Sequence, residues 1–163
     1  MINRRIFLAG AAMAALSACS SKFRSYDGPR VTSIVVYKER RKLYLLHENQ
    51  VLREFDFELG FAPVGHKKVE GDGRTPEGAY VIDRKNPNSS FHLSVGISYP
   101  NEADRAAAAA LGLSPGGDIF IHGTPRLNRG DDDWTAGCIA VTNREIEDIY
   151  AMVDVGTPIL IYP

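Results

Sequence analysis

Two residues in this chain have the chemistry of a nucleophile and its base. His122 ends the run Ile119-Phe120-Ile121 and is followed by Gly123, while Cys138 follows Gly137 and begins the short apolar run 138–141. They are 16 positions apart, too far to share one turn of helix, so a loop folding back between neighbouring strands has to bring them together. An imidazole beside a thiol can take its proton, and the thiolate so formed is a strong nucleophile. The simplest chemistry on offer is acyl transfer through cysteine.

His122 needs a partner that fixes its tautomer; Asp118, Asp131, Asp132, Asp133 or a backbone carbonyl are the candidates. Gly137 lets the chain approach a substrate closely and leaves the N–H groups of Gly137 and Cys138 for a developing oxyanion. Trp134 is a wall of the cleft, a hinge for the loop or a core anchor. The run Asp131–Asp133 reads as a hydrated loop, with contact to a cationic amine as the lesser reading. His47 and His66 read as solvated, and His92 as a polar residue on a strand face. No set of His, Cys and Asp shows metal-ligand spacing, so no metal is expected.

The elements that must hold this pair are mostly strands. Residues 31–37, 42–47 and 51–59 are rich in β-branched and apolar residues and have short connections, which predicts a meander. Residues 60–78 form a long Gly-, Pro- and charge-rich loop, of the kind that is functional or disordered inside a compact domain. Strands are expected over 79–83, 91–98, 119–121, 138–141 and 157–162. Asn101 can cap a helix running through Ala106 to Leu111. Thr142 with Glu145 makes a capping box for a second helix, with Ile146, Ile149, Tyr150 and Val153 on one face. The expected fold is mainly β, an antiparallel β-sandwich or meander with two short helices.

The N-terminus adds a compartment. Arg4 and Arg5 precede 13 almost wholly apolar residues, Ile6 to Ala18, too short to span a bilayer as a stable helix and suited to a signal peptide. Leu16-Ser17-Ala18-Cys19 resembles a lipobox, in which cleavage precedes a cysteine that then carries lipid. The paired arginines before Ile6-Phe7-Leu8 also resemble a twin-arginine export signal, which leaves the Sec and twin-arginine routes both open. Residues 1–18 are thus expected to be a lipoprotein-type signal, 19–30 a tether and 31–163 one domain in the cell envelope or periplasm, anchored to membrane through Cys19. Removing 18 of 163 residues leaves 145, enough for one core. Two of the 19 basic residues leave with the signal, so 17 face 20 acidic ones, and no basic stripe predicts nucleic-acid binding. With Cys19 acylated, Cys138 is a lone thiol in an oxidising compartment, either buried as a small hydrophobe or retained for chemistry.

On these residues the chain resembles the L,D-transpeptidase (YkuD-type) catalytic domain family. That family places His-Gly or His-Ser about fifteen residues before a Ser/Thr-x-Gly-Cys stretch that ends in Asn. Here these are His122-Gly123, Thr135-Ala136-Gly137-Cys138 and Asn143. The segment Gly71-Asp72-Gly73-Arg74-Thr75-Pro76-Glu77-Gly78 and the closing Gly156-Thr157-Pro158 extend the resemblance over most of 31–163. It implies a fold of that type, with Cys138 as nucleophile, His122 as general base and the Gly123 carbonyl orienting the ring. Ala136, Gly137 and Cys138 would form the oxyanion hole, and Trp134, Thr135 and Asn143 would contact substrate.

The implied substrate is a peptidoglycan stem peptide, cut after the L-centre of diaminopimelate or Lys, through a thioester and with no cofactor. An amine acceptor gives transfer; water gives carboxypeptidase or endopeptidase activity. Two positions depart from the pattern: Ala136 stands where many members have a second His, and Ala140 where many have Arg. Ala136 keeps its backbone N–H, whereas Ala140 removes a possible contact to a substrate carboxylate. A wall-binding lipoprotein without turnover is the non-enzyme alternative, but binding alone needs no oxidisable thiol. A papain-like protease fits poorly because its Cys precedes its His along the chain.

Overall fold

The computed structural model describes residues 21–163, so the signal, the lipobox and Cys19 lie outside the described residues. In chain order the elements are β1 (Ser33–Tyr37), β2 (Lys42–His47), β3 (Gln50–Asp56), β4 (Gly78–Asn86), β5 (Ser94–Ile97), α1 (Glu102–Ala110), β6 (Phe120–His122), β7 (Ile139–Ala140), α2 (Asn143–Met152) and β8 (Pro158–Tyr162). The strands form one sheet in the order β3-β2-β1-β8-β4-β5-β6-β7. The fold is mainly β, as expected. Most pairings are antiparallel, but β1 runs parallel to β8 and β6 parallel to β7.

Alternation drives the strands. Ile34 and Val36 in β1, Leu43 and Leu45 in β2, and Ile159 and Ile161 in β8 all point into one core. Each such side chain contributes roughly 1.5–3 kcal/mol by leaving water. Just past β3 the chain bridges to the far edge strand, Glu58 pairing with Ala140 and Gly60 with Thr135. The sheet therefore curls until its two ends meet, and the short strand β7 is held on both sides.

Both helices start at the caps expected for them: Thr142 forms its box with Glu145, and Asn101, expected as a simple cap, also exchanges hydrogen bonds with Asp104 as a full capping box. Ile146, Ile149 and Met152 bury the inner face of α2, which packs on β5 and β6. Cover on both faces leaves every residue of β5 buried.

The expected strand over 91–98 is shorter than its composition suggests. His92 has φ 75°, a left-handed turn just before β5, and the Leu93 N–H returns to the Phe91 carbonyl at 3.0 Å. Residues 21–30, read as a tether, lie against the domain: Arg24 pairs with Glu147 and Asp148 of α2, and Phe23 packs near Tyr150.

The long loop after Gly60 contains no helix, and its only regular pairing is the single bridge of Gly60 itself, yet it is internally tied. The Asp72 carboxylate accepts from the Lys68, Val69 and Arg74 amides at 2.7, 3.1 and 3.1 Å and from buried Lys67 at 2.9 Å. Burial alone would raise the Asp72 pKa; these donors more than offset it and bring it to about 2. Buried Lys38 ties the same loop to β1 through Gly65 O, Thr75 O and Glu77.

Candidate active site

His122 is the last residue of β6 and Cys138 immediately precedes β7. Ile121 pairs with Ile139, and both point into the core without exposure. One residue on from each, the pleat turns His122 and Ala140 to the opposite face, and Cys138, one residue back, shares it. Cys138 thus stands level with Phe120 and diagonal to His122. With strands about 4.8 Å apart and about 3.3 Å of rise per residue, the diagonal is about 8 Å between Cα atoms, a span the two side chains can bridge. The long 123–138 connection follows from the parallel pairing, which requires the chain to return to the starting end of β6.

The His122 ring is buried, and its Nδ1 lies 2.7 Å from the Gly123 carbonyl oxygen. A carbonyl only accepts, so Nδ1 carries the proton and Nε2 of the neutral ring keeps a free lone pair. None of Asp118, Asp131, Asp132 or Asp133 orients this ring. Asp118 pairs with Arg84, and Asp133 is bound by Arg41 and by the Leu59 amide. The Arg41 guanidinium holds the Asp133 carboxyl below the usual carboxylate range. Asp133 therefore fastens the loop rather than meeting a substrate amine.

Aromatic rings pack around the imidazole. Phe91 stacks on it at 4.4 Å and 26°, and Trp134 meets it edge-on at 5.6 Å. Burial pushes the His122 pKa below its usual 6.5, and the Gly123 carbonyl opposes this only in part. A His122 that served as base would have to be neutral, so the depressed pKa would place the acid limb of such an activity at lower pH. The acid limb of kcat/KM is expected below pH 6.5; a limb at or above that value in a pH–rate profile contradicts this burial argument.

The Gly after His122 is a steric requirement. A Cβ at Gly123 would stand 2.4 Å from Asn143 Oδ1 and 2.8 Å from the Phe91 carbonyl. The Gly123 N–H donates to that same carbonyl at 3.0 Å, so Phe91 is joined to the His-Gly pair by backbone as well as by ring.

Cys138 is half-buried. Its thiol donates to the Asp118 carbonyl at 3.6 Å, and no hydrogen bond joins it to His122 in this structure. Burial raises the thiol pKa, opposed by the Phe120 N–H. The resting pair is therefore a neutral imidazole and a protonated thiol.

The loop behind Cys138 shapes its surroundings. Gly137 has φ 128°, and a Cβ there would stand 2.6 Å from the Arg74 carbonyl. Fully buried Thr75 donates to the Gly137 carbonyl at 2.8 Å. Two expectations need correction here. The Gly137 N–H is already taken by Thr135 Oγ1 at 3.1 Å, so it is not free for an oxyanion. Thr135 is buried and passes its own hydroxyl proton to the Cys138 carbonyl at 2.8 Å, which makes it a brace and not a substrate contact. The Ala136 and Cys138 amides find no acceptor among the described residues.

Trp134 and Asn143 line an open groove of about 910 Å³ with Glu58, Thr124, Ala140 and Arg144. Trp134 Nε1 and Asn143 Oδ1 are buried without partners. His92 and His66 differ from expectation. His92 sits in the turn and pairs with Glu147 at 2.8 Å, and His66 bridges the Glu77 amide and buried Asp104. Phe91 and Thr75 are site residues that reading the sequence missed. Thr75 could have been suspected from its Gly-rich loop, but Phe91 carries no motif. Among the described residues no three His, Cys, Asp or Glu converge as metal ligands.

Comparison with known proteins agrees with the fold. The profile of the YkuD family, the L,D-transpeptidase catalytic domain, matches residues 31–161. YafK of Escherichia coli (strain K12), whose name carries L,D-transpeptidase only provisionally, is 30% identical over 126 residues. The match covers 74% of this chain and 46% of YafK, so the chain spans about half the length of that relative. The helical cell shape determining protein Pgp2 from Campylobacter jejuni superposes with a TM-score of 0.63 at 27% identity, covering 83% of this chain and 49% of Pgp2. An L,D-transpeptidase from Mycobacterium smegmatis shares the fold alone, at a TM-score of 0.56 and 16% identity over 82% of this chain and 59% of its own. The chain belongs to the YkuD family of L,D-transpeptidase catalytic domains.

Proposed function

We propose that this protein is a cysteine acyltransferase acting on peptidoglycan stem peptides in the cell envelope, held to membrane by lipid on Cys19. The observation that carries the reading is the fixed tautomer of His122: with Nδ1–H given to Gly123, Nε2 is the only ring atom left to act as base, on the sheet face that Cys138 shares.

In the proposed cycle the Cys138 thiol leaves the Asp118 carbonyl and gives its proton to His122 Nε2 as sulfur attacks the carbonyl between the L-centre of diaminopimelate (or Lys) and D-Ala. The oxyanion is met by the Ala136 and Cys138 amides. The C–N bond breaks, the departing D-Ala amine takes the proton from His122, and a thioester remains. An acceptor amine then loses its proton to His122 and attacks the thioester, restoring the thiol. Water in place of the amine gives hydrolysis.

Incubating the pure protein with defined muropeptides and reading product masses tests this. Cross-linked dimers are the expected product. Loss of D-Ala without dimers assigns hydrolysis of the same bond, and unchanged masses contradict catalysis and leave wall binding.

A further inference from the structure

The polypeptide stretch entering the domain touches the turn that carries Phe91. Lys22 Nζ donates to the carbonyls of Pro87 and His92, at 2.6 and 3.0 Å, and so closes that turn from outside. Two residues on, Arg24 places Nε and one terminal nitrogen on Glu147 Oε2, at 2.9 and 2.7 Å, and the other on Asp148 at 2.8 Å. The second oxygen of Glu147 meets His92 Nε2 at 2.8 Å. The two cations therefore grip both the backbone and the side chain of His92. Its neighbour Phe91 stacks on His122 and accepts the Gly123 N–H. Phe91 is itself 38% exposed, so core packing alone does not fix its ring. With His92 at φ 75°, the turn is held in a conformation a free chain seldom adopts.

We propose that Lys22 and Arg24 are positioning residues for the acyl transfer, holding Phe91 against the imidazole of His122 through the turn 87–92. The inference rests on His122 being the general base. Lys22, Arg24, His92 and Glu147 satisfy the turn and α2, whereas the influences on the imidazole itself are burial and the Gly123 carbonyl. Loosening the strap therefore acts on His122 by letting Phe91 swing away and water in. The base then titrates closer to an ordinary imidazole and sits less well placed for the thiol.

The test is a double-mutant cycle on the full chain with a stem peptide, using Lys22→Met, Lys22→Arg, Phe91→Ala and the Lys22→Met/Phe91→Ala pair, each assayed well below its own Tm. Lys22→Met is expected to lower kcat about 10-fold with little change in KM, the scale of a modest misplacement, and to move the acid limb of the pH profile up toward 6.5. Lys22→Arg, which keeps a cationic donor, should restore both. In the Phe91→Ala background Lys22→Met should have little further effect, because the residue it acts through is gone. An unmoved acid limb in Lys22→Met, or losses that simply multiply in the double variant, overturns the proposal while leaving the base assignment standing. Wild-type activity in His122→Ala instead removes the base assignment and this inference with it.

Discussion

Cys138→Ala is expected to abolish turnover of a stem peptide, and His122→Ala to lower kcat/KM by on the order of 10²–10⁴-fold, the scale of a lost general base, with the fold intact in both. The proposed thioester cannot form without the sulfur, and alanine offers no nucleophile in its place. Without the imidazole the thiol must lose its proton unaided, and burial holds that thiol above its usual pKa, so little thiolate is present near neutrality. The double variant should be no worse than Cys138→Ala, because the two groups act as one unit. Stability should change little at Cys138, whose sulfur makes only weak hydrogen bonds, to the Asp118 carbonyl at 3.6 Å and from the Phe120 N–H. Steady-state kinetics with matched Tm values checks this. Comparable activity in Cys138→Ala contradicts the assignment of the nucleophile.

Gly137→Ala should damage both stability and catalysis. The backbone at φ 128° suits glycine, and the new methyl would press on the Arg74 carbonyl from 2.6 Å. Relief means moving either the Arg74-Thr75 backbone or the peptide that carries Cys138, and the Thr75 hydrogen bond to Gly137 resists both. About 3 kcal/mol of stability and about 100-fold in kcat/KM are expected to be lost. Gly112→Ala is the control, since Gly112 has φ 70° and nothing within 4 Å, so it carries backbone strain without a clash. That variant should lose about 1 kcal/mol. Urea midpoints and kinetics for the pair check this. Equal midpoints for the two variants contradict the close-approach argument.

Local chemistry was the legible part of the sequence. The alternating strands, the Asn101 cap, the Thr142–Glu145 capping box, and the strand–His-Gly and Gly-Cys pairs each depend on residues within a few positions of one another. Relations between distant segments were not legible. Whether the Gly137 amide is free depends on where Thr135 Oγ1 turns, and composition does not encode that rotamer. The Glu58–Ala140 bridge that curls the sheet joins residues far apart in sequence through backbone alone. Phe91 looked like the start of a strand because an aromatic suits one. The reversal at His92 redirects it onto His122, and the Lys22, Arg24 and Glu147 contacts, from segments distant in sequence, help show why that turn holds.

The most direct test of the central claim is the intact mass of the protein mixed with a stem peptide and quenched in acid within the first turnovers. A species heavier by the donor peptide less D-Ala is expected, mapped by peptide digestion to Cys138 and absent from Cys138→Ala. Product formation with no covalent species, or an adduct carried by any other residue, would contradict it.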